Sequence, residues 1–529
     1  MSKPASSNII DVLKNFAISF SESDDPKGRL ANFTGDLVND SRITAEGDIF
    51  CAIIGHDQDG RLYIDKAIAQ GAKLVLADCE SQSKHGDISI VANTLVINFY
   101  QLNQQLFRLA QYYYQNPQEN MTMIGITGTN GKTTTSQLVA QMLSAFNKPC
   151  AVIGTNGAGR IDQLQPIENT TPSASELHQF LYRFQHQSLS HVAMEVSSHA
   201  LVQGRVTGEL FDIAVFTNLS RDHLDYHGTM ADYAAAKKAL FTGSDNQKAV
   251  LNYDDEQVKS WLLSETLKSS KDYWFFGQDI TLMQRQSFVC AQNIKHHHQG
   301  VSFTLVSHLG EVIIESPLLG QFNIENLLAA ICIMLIEGVE LDTVAELVKQ
   351  VKAVAGRMEA TSADKLPTAV VDYAHTPDAL EKALQACRQH CEGELYVVFG
   401  CGGDRDKGKR PLMAKAAQQY ADHIVITNDN PRSEDAMQIA KDILAGFTFS
   451  SDFEISNEEH ENVSVLLERK QAVLRTLTQA RAQDIVLLAG KGHEDYVILP
   501  DGQGSTKKVP YDERAVVAQF YHDDAEVRL

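Results

Sequence analysis

A glycine-rich stretch between an apolar run and a helical pattern has the residue types of a phosphate-binding loop. It reads Gly125-Ile-Thr-Gly-Thr-Asn-Gly-Lys-Thr-Thr-Thr135. Glycines let backbone N–H groups approach a polyphosphate, Lys132 can bridge its terminal phosphates, and Thr133 can hold Mg²⁺. The loop is shorter than the strict Walker pattern, because Ile126 stands where that pattern has its first glycine. We expect ATP binding here, with a simple glycine turn before a helix as the alternative.

Polar residues also follow two later apolar runs of the chain. Glu195 ends the run 190–195, and His223 follows the run 211–218. Both positions are strand ends, where an open parallel sheet binds ligands. Oxygen donors, and occasionally imidazole, hold Mg²⁺ on phosphates, so both residues are candidate ligands beside Thr133. A capping or hydrogen-bonding role for either residue is an equally good interpretation.

A lysine interrupts the apolar face of the next helical pattern. The face consists of Tyr233, Ala236, Lys237, Leu240 and Phe241, at spacings of three and four. Burial would lower the pKa of Lys237 and leave an uncharged amine, which can react with CO₂ to give a carbamate, an oxygen ligand for a metal. The helical pattern alone favours the alternative that Lys237 extends its ammonium to water.

Composition limits the classes of function. The 529 residues carry a net charge of −21, which argues against a nucleic-acid or anionic-membrane partner and favours small-molecule substrates.

The eight scattered cysteines predict reduced thiols in a cytoplasmic protein, with Cys387 and Cys391 in the core and not in a metal site. No stretch is apolar enough to span a membrane. His296-His-His298 is interpreted as a solvated hairpin loop.

The elements that must position these residues are alternating strands and helices. A helix is expected from residue 101, with Leu102, Leu106 and Leu109 on one face. Strands are expected at 122–127, 190–195, 211–218 and 248–252, and later at 368–372, 395–399, 423–427 and 484–488. Strand followed by helix, repeated, predicts largely parallel sheets. The fold class is therefore α/β, with a small N-terminal α/β domain, a central P-loop ATPase-like parallel-sheet domain and a C-terminal Rossmann-like domain.

Seven motifs together resemble the Mur ligase family, in order and over nearly the whole chain. They are Thr127-Gly-Thr-Asn-Gly-Lys-Thr133, Met194-Glu-Val-Ser-Ser-His199, Asp222-His-Leu-Asp-Tyr-His-Gly228, Ala235-Ala-Lys237, Asn323-Ile-Glu-Asn-Leu-Leu-Ala329, Gly356-Arg-Met-Glu359 and Asp372-Tyr-Ala-His-Thr-Pro377. The resemblance implies that residues 1–100 bind a UDP-sugar substrate, 101–353 bind ATP and 354–529 bind the incoming amino acid. It also implies that Lys237 is carbamylated and, with His223, holds a second Mg²⁺.

The resemblance assigns further residues to the nucleotide and to the UDP-muramoyl dipeptide. It implies catalytic roles for Lys132, Glu195, His223 and Lys237, and metal binding by Thr133, Glu195, His223 and Lys237. The implied ATP-binding residues are Gly128, Thr129, Asn130, Gly131, Lys132, Thr133, Thr134, Asn326, Arg357, Asp372 and His375. The implied dipeptide-binding residues are Asn39, Ser41, His56, Asp57, Gln58, Asn169, Thr170, Thr171, Ser197, Gln203 and Arg205.

A motif near the C-terminus indicates which amino acid is added. Asp429-Asn-Pro-Arg432 resembles the motif of family members that recognise meso-diaminopimelate. That amino acid has a second carboxylate that lysine lacks, and an arginine can grip a carboxylate with two hydrogen bonds. The implied diaminopimelate-binding residues are Arg405, Asp429, Asn430, Pro431, Arg432, Gly490 and Glu494. A cap or surface ion pair is the alternative for Arg432.

The expected activity is ATP-dependent amide-bond formation through an acyl phosphate, in peptidoglycan precursor synthesis. The substrates would be ATP, UDP-N-acetylmuramoyl-L-alanyl-D-glutamate and meso-diaminopimelate, with two Mg²⁺ ions, in a monomeric cytoplasmic enzyme. A lysine-adding relative and a folylpolyglutamate-type synthetase remain alternatives within this class. A P-loop nucleotide switch or motor is the alternative from another class.

Overall fold

The computed structural model describes residues 8–19, 35–55, 58–264, 267, 271–449, 459–460, 462–501 and 505–527. The chain divides into two compact units. The first comprises Met1–Phe288 with Cys332–Ile336, and the second comprises Val289–Ile331 with Glu337–Leu529. No helix in the described ranges has both the length and the apolar character needed to cross a lipid bilayer.

The first unit begins with a small sheet covered by helices. Its strands are β1 (Leu37–Val38), β2 (Ile49–Ala52), β3 (Leu74–Cys79), β4 (Ile88–Val91) and β5 (Thr94–Tyr100), and its helices are α1 (Ile9–Lys14) and α2 (Ile64–Ala69). The strand order is β1-β2-β3-β5-β4, and every neighbouring pair is parallel except β5 with β4. Strand β3 is buried along its whole length, as expected for a central parallel strand.

A larger sheet follows in the same unit, and it is parallel except that β8 pairs antiparallel with β7. Its strands are β6 (Thr122–Thr127), β7 (Cys150–Gly154), β8 (Gly157–Arg160), β9 (His191–Glu195), β10 (Ile213–Phe216), β11 (Lys248–Asn252) and β12 (Asp272–Gly277). The helices are α3 (Leu102–Tyr113), α4 (Lys132–Ala145), α5 (Ala174–His186), α6 (Ser198–Val202), α7 (Leu224–His227), α8 (Met230–Lys238) and α9 (Glu256–Leu263). Strand β6 pairs in parallel with β9 and with β10, so the polar residues that follow these three strands meet at one edge.

The strands and helices of this region agree closely with the sequence pattern. Strand β6 has the expected bounds, and α3 buries Leu102, Leu106 and Leu109. The run 211–218 forms a shorter strand than expected, because only Ile213–Phe216 pairs with its neighbours. The residues that follow this strand form the turn that leads to His223.

An antiparallel meander follows, and from Val289 on it lies in the second unit, which lacks Cys332–Ile336. Its elements are β13 (Ser287–His297), β14 (Gly300–Ser307) and β15 (Gly310–Ser316), followed by α10 (Gln321–Ile336) and α11 (Leu341–Val348). The interpretation of His296-His-His298 as a solvated loop is wrong for two of its members. His296 and His297 belong to β13, and the His296 ring contacts the buried His390. Only His298 lies in the turn, where its ring hydrogen-bonds to Thr368 Oγ1 (2.7 Å).

A second doubly wound sheet forms the rest of this unit. Its strands are β16 (Glu359–Thr361), β17 (Thr368–Asp372), β18 (Leu395–Phe399), β19 (His423–Ile426), β20 (Glu459–His460), β21 (Val463–Val465) and β22 (Ile485–Ala489), in the order β16-β17-β22-β18-β19-β21-β20. The remaining elements are a hairpin of β23 (Tyr496–Pro500) with β24 (Thr506–Pro510), and α12 (Pro377–His390), α13 (Lys409–Tyr420), α14 (Ala436–Leu444), α15 (Arg469–Gln479) and α16 (Glu513–Val527). Apolar clusters cover both faces of the sheet. All eight cysteines are free thiols, Cys387 is buried, and Cys391 is half-buried against the core.

Candidate active site

The glycine-rich loop leaves β6 and enters α4 as the sequence predicts. Gly128 has φ +153°, and a Cβ at this position would lie 1.9 Å from Thr217 Oγ1, so only glycine fits. Gly131, with φ +84°, caps the N-terminus of α4, whose first residue is Lys132. The Lys132 ammonium donates to the carbonyls of Gly128 (2.9 Å) and Thr129 (2.8 Å). A helix N-terminus beside a lysine is suited to a phosphate group.

Glu195 and Thr133 meet directly at the end of β9. Thr133 Oγ1 donates to Glu195 Oε2 (2.9 Å), and the Thr155 N–H donates to Glu195 Oε1 (2.8 Å). Glu195 is almost completely buried, and this burial raises the pKa of its carboxyl. A hydroxyl and a carboxylate held together are donors of the kind that Mg²⁺ takes, so the residues present fit such an ion.

Lys237 is buried, and the expectation that it extends to water is wrong. Only 1% of its surface is exposed; its Nζ donates to the Gly128 carbonyl (2.8 Å) and lies 4.5 Å from the centre of the Tyr233 ring. Burial, with a further contribution from the charge of Lys132, lowers the pKa of Lys237 to about 6. The amine is therefore largely neutral at pH 7, and it lies against the phosphate-binding loop.

His223 occupies a more open position than the other expected metal ligands. It has φ +53°, its side chain is 47% exposed, and its Nε2 lies 3.4 Å from Asp222 Oδ2. Its ring is 6.1 Å from that of Tyr233, the residue that also contacts Lys237. Within the described ranges, no three His, Cys, Asp or Glu side chains converge in a ready-made metal site. The structure thus joins Thr133 to Glu195, and places Lys237 and His223 on two sides of Tyr233.

Several of the expected dipeptide-binding residues lie beside Glu195. Thr171 Oγ1 donates to the Glu195 carbonyl (2.9 Å) and accepts from the Ser197 N–H (3.0 Å). The Arg205 guanidinium donates to the Thr171 carbonyl (3.1 Å). Among the described residues no carboxylate pairs with Arg205, whose pKa is lowered by burial. A half-buried, unneutralised guanidinium is suited to an anionic ligand.

The other expected dipeptide-binding residues are more dispersed. Asn39 accepts a hydrogen bond from Ser175 (3.0 Å), Ser41 is buried, and the Gln58 side chain contacts Tyr63 (3.4 Å). Thr170 bonds to Thr155 (3.1 Å), Gln203 bonds to Tyr226 (3.3 Å), and Asn169 is exposed. His56 and Asp57 lie outside the described residues.

In the second unit, three of the expected ATP-binding residues surround Tyr373. The Arg357 guanidinium lies 4.9 Å from the centre of the Tyr373 ring, and the His375 ring lies 4.7 Å from it. Asp372 accepts hydrogen bonds from the backbone N–H groups of Met358 and Ala374 (both 2.8 Å), and burial raises the pKa of its carboxyl. Asn326 is buried on α10, where it donates to Asn323 (3.2 Å).

Arg405 and Arg432 lie on either side of Gly402 in the same unit. A Cβ at Gly402 would lie 2.8 Å from Arg432 Nη1 and 3.6 Å from Arg405 Cγ. Arg432 has φ +53°, and its Nη1 donates to the Gly403 carbonyl (2.8 Å). Arg405 is exposed and donates to the Asp404 carbonyl (3.0 Å). Two guanidinium groups without a carboxylate partner among the described residues form a suitable site for a carboxylate ligand.

The other residues expected to bind the amino acid lie close to these two arginines. Asn430 donates to Glu494 Oε2 (3.0 Å), and Pro431 and Asp429 flank Asn430 in the loop after β19. Gly490, with φ +112°, follows β22, and a Cβ there would come within 3.8 Å of Asp429 Cγ. The structure therefore brings this predicted set together at the carboxyl ends of β18, β19 and β22.

Two residues that support these groups were not found from the sequence. Thr155 bonds to both oxygens of Glu195 and to Thr170. Tyr373 is the ring shared by Arg357 and His375. Thr155 directly follows β7, and this position at a strand end is the signal that could have identified it.

Comparison with known proteins matches the chain over most of its length. The family models for the Mur ligase catalytic domain, the Mur ligase middle domain and the Mur ligase glutamate ligase domain match residues 37–114, 126–334 and 356–492. Their order confirms the expected three domains, while the exact boundaries after residues 100 and 353 remain predictions.

Three similar proteins have the same name, UDP-N-acetylmuramoyl-L-alanyl-D-glutamate--2,6-diaminopimelate ligase. The one from Haemophilus influenzae is 44% identical over 88% of this chain and 92% of its own length. The one from Vibrio vulnificus is 45% identical over 87% of this chain and 90% of its own length. A solved structure with this name is 33% identical, covers 95% of this chain and 99% of its own, and has a TM-score of 0.67.

Proposed function

The chain belongs to the Mur ligase family, and we propose that it joins meso-diaminopimelate to UDP-N-acetylmuramoyl-L-alanyl-D-glutamate at the expense of ATP. One observation carries this proposal: relatives named for this reaction match nearly nine-tenths of the chain at 44–45% identity. The reaction is a step of peptidoglycan precursor synthesis, and we place it in the cytoplasm, where a monomeric enzyme would meet ATP and both small-molecule substrates.

The chemistry has two steps. A γ-carboxylate oxygen of the D-glutamate attacks the γ-phosphorus of ATP, so that ADP leaves and an acyl phosphate forms. The neutral amine of diaminopimelate then attacks the acyl carbon; the C–O bond to phosphate breaks, and the nitrogen loses a proton. Lys132 and the N-terminus of α4 would offset the charge on the phosphates during the first step.

Thr133, Glu195, His223 and Lys237 are the residues that would hold Mg²⁺, and we propose two ions. Thr133 and Glu195 are already hydrogen-bonded, which supports a shared role. When bound, Mg²⁺ supplies positive charge to the phosphate oxygens. His223 has a half-exposed side chain and lies on the other side of Tyr233 from Lys237.

The neutral state of the Lys237 amine supports the proposal that it is carbamylated. The neutral amine attacks CO₂, a C–N bond forms, and the nitrogen loses a proton to give a carbamate. The pKa of about 6 means that the amine needs no separate base to become neutral at pH 7. A carbamate would replace this neutral amine with an anion near the Lys132 ammonium, and the two opposite charges would attract each other.

Substrate preference is the experiment that tests the proposal. Phosphate release would be measured with the UDP-muramoyl dipeptide and ATP, in the presence of either meso-diaminopimelate or L-lysine. We expect turnover with diaminopimelate and much less with lysine, because lysine offers no second carboxylate to Arg432. A preference for lysine, or turnover with a folate acceptor, would contradict the substrate assignment. Equal phosphate release without any acceptor amine would indicate a nucleotide switch or motor.

A further inference from the structure

Lys491 is a buried lysine to which the family resemblance gave no role. It follows β22 in the sequence Gly490-Lys-Gly492, and none of its surface is exposed. Both flanking glycines have left-handed backbones, with φ +112° at Gly490 and +52° at Gly492. A Cβ at Gly492 would lie 2.6 Å from Tyr373 Cβ. The two glycines therefore allow the tight turn that directs Lys491 inward.

All three donors of the Lys491 ammonium are used. Its Nζ donates to Asn430 Oδ1 (2.8 Å), to the Tyr496 carbonyl (3.0 Å) and to Glu494 Oε2 (3.2 Å). It also forms an ion pair with Asp429 Oδ1 (3.2 Å), an oxygen that accepts no hydrogen bond from any described residue. One ammonium thus connects the loop after β19 with the turn after β22.

These contacts fix how Asn430 and Glu494 face the pocket. Asn430 Oδ1 accepts from Lys491 and from the Ile498 N–H (2.9 Å), so its Nδ2 must point to Glu494 Oε2, 3.0 Å away. Glu494 Oε2 therefore accepts from both Asn430 and Lys491. Among the described residues, Glu494 Oε1 accepts no hydrogen bond and is available to a ligand.

Charge balance gives Lys491 a second effect. Asp429 and Glu494 both pair with its ammonium, and their side chains are only 10% and 16% exposed. Without Lys491 these two carboxylates would share a poorly solvated site and lose the ammonium that contacts both, so their repulsion would push them apart.

We propose that Lys491 is a positioning residue for the amino-acid pocket, where it holds Asn430 and Glu494 in the orientation that receives the incoming amino acid. The inference rests on the proposed function in one respect, because that function makes this pocket the amino-acid site. Lys491 itself touches no reacting atom, so its effect belongs in the binding of the amino acid and not in phosphoryl transfer.

The test compares Lys491→Met with the matched control Lys271→Met. Lys271 is also a buried lysine that donates to a side-chain amide, that of Gln247, but it belongs to the first unit. For Lys491→Met we expect the KM for the amino acid to rise about tenfold or more, with the KM for ATP within about twofold of wild type. For Lys271→Met we expect a lower unfolding temperature and an unchanged KM for the amino acid.

A second variant keeps the inference testable if Lys491→Met does not fold. Lys491→Arg retains the charge but presents a planar fork that cannot reproduce the three bonds of the ammonium, so we expect a folded enzyme with a raised KM for the amino acid. A wild-type KM in either variant, or equal rises in the KM for ATP and for the amino acid, would overturn the role. All measurements use whichever amino acid the wild-type enzyme accepts. A wild type that prefers lysine would refute the proposed function and leave the test of Lys491 intact.

Discussion

A buried lysine beside a second lysine holds its proton weakly, and Lys237 is in this position. Its pKa of about 6 is far below the ordinary 10.5, so the amine is neutral above pH 6 and protonated below it. Carbamate formation needs the neutral amine. We therefore expect both the modification and the activity to be present above pH 6 and to fall as the pH drops through it, as measured by intact mass and initial rate in bicarbonate buffer.

Substitutions of Lys237 and Lys238 test whether a carbamate is needed, and not simply a positive charge on this helix. Lys237→Ala should lose most activity and regain part of it when a short carboxylate such as formate is added, because the acid can occupy the space of the carbamate. Lys238→Ala is the matched control on the same helix, since Lys238 is half-exposed over the Trp261 ring. An active wild-type enzyme with unmodified Lys237 would refute the carbamate.

The role of Arg432 can be tested by comparing how its removal changes the KM for diaminopimelate and the KM for ATP. Arg432→Ala should raise the KM for diaminopimelate by roughly 10- to 150-fold, the loss expected for hydrogen bonds to a charged group, and change the KM for ATP little. Arg388→Ala is the control, because that arginine pairs with Asp422 in the same unit. Equal losses for ATP and diaminopimelate would show that Arg432 acts on the fold and not on the ligand.

The sequence identified these residue types but not their surroundings. The spacing around Lys237 placed it on an apolar face, yet the same spacing favoured an ammonium in water. Its burial depends on the Gly128 carbonyl and on Tyr233, and the carbonyl lies 109 residues away in the chain. Contacts across such separations have no signature in local periodicity, which is also why the contact of Lys491 with Asn430, 61 residues away, was not found.

The phosphate-binding loop can be tested as an element through its first glycine. Gly128→Ala should abolish ATP binding, because its Cβ would overlap Thr217 Oγ1 and the loop must move. Gly338→Ala is the control: its φ is +79° and no described atom lies within 4 Å of the position that a Cβ would take, so it should cost only about 1 kcal/mol of stability. Isothermal titration with ATP and a thermal melt distinguish the two, and ATP binding by Gly128→Ala would contradict this role of the loop.

Arg410 and Glu434 join the loops after β18 and β19, which belong to the proposed amino-acid site. Arg410 is fully buried and donates to both Glu434 oxygens (3.0 Å each), and Glu434 Oε1 accepts from the Asp404 N–H (2.6 Å). The hydrogen bonds from Arg410, with that from the Asp404 N–H, lower the pKa of Glu434 from 4.5 to about 2. Because the folded-state pKa is depressed, the stabilisation is present above pH 4.5 and is lost as the pH falls toward 2.

The corresponding prediction concerns the unfolding temperature at acidic pH. Glu434→Gln should unfold at a lower temperature than wild type at pH 7, and the difference should shrink between pH 4.5 and 2. Glu346→Gln, in an exposed pair with Lys349, should match wild type at every pH. A constant difference between Glu434→Gln and wild type would show that the charge of Glu434 contributes nothing.

At the level of elements, the sequence was most accurate where strands are buried on both faces. Continuous apolar runs at 122–127 and 395–399 gave the bounds of β6 and β18, because each run ends where the strand leaves the core. The histidines of 296–298 were misplaced because polar residues resemble a loop, although β13 pairs with β14 as far as His297. Backbone hydrogen bonds to β14 extend this strand, and the polarity of its side chains gives no sign of them.

In the whole molecule, the expected ATP-binding residues come from both compact units. The phosphate-binding loop belongs to the first, while Arg357, Asp372 and His375 belong to the second. The chain order of the motifs predicted three domains from the family resemblance, and the family models confirm that order. The net charge argued only against a nucleic-acid or anionic-membrane partner, because net charge reports on association and not on fold.

The use of ATP by the whole enzyme can be tested by tracing one oxygen. In a ligase that forms an acyl phosphate, the γ-carboxylate donates one oxygen to the phosphate that is later released. If the dipeptide carries ¹⁸O in that carboxylate, we expect one labelled oxygen in each phosphate, measured by mass spectrometry. A nucleotide switch or motor would take the oxygen from water, so unlabelled phosphate would contradict the ligase. The label should appear only when dipeptide, ATP and amino acid are all present, because phosphate leaves when the amine attacks the acyl carbon.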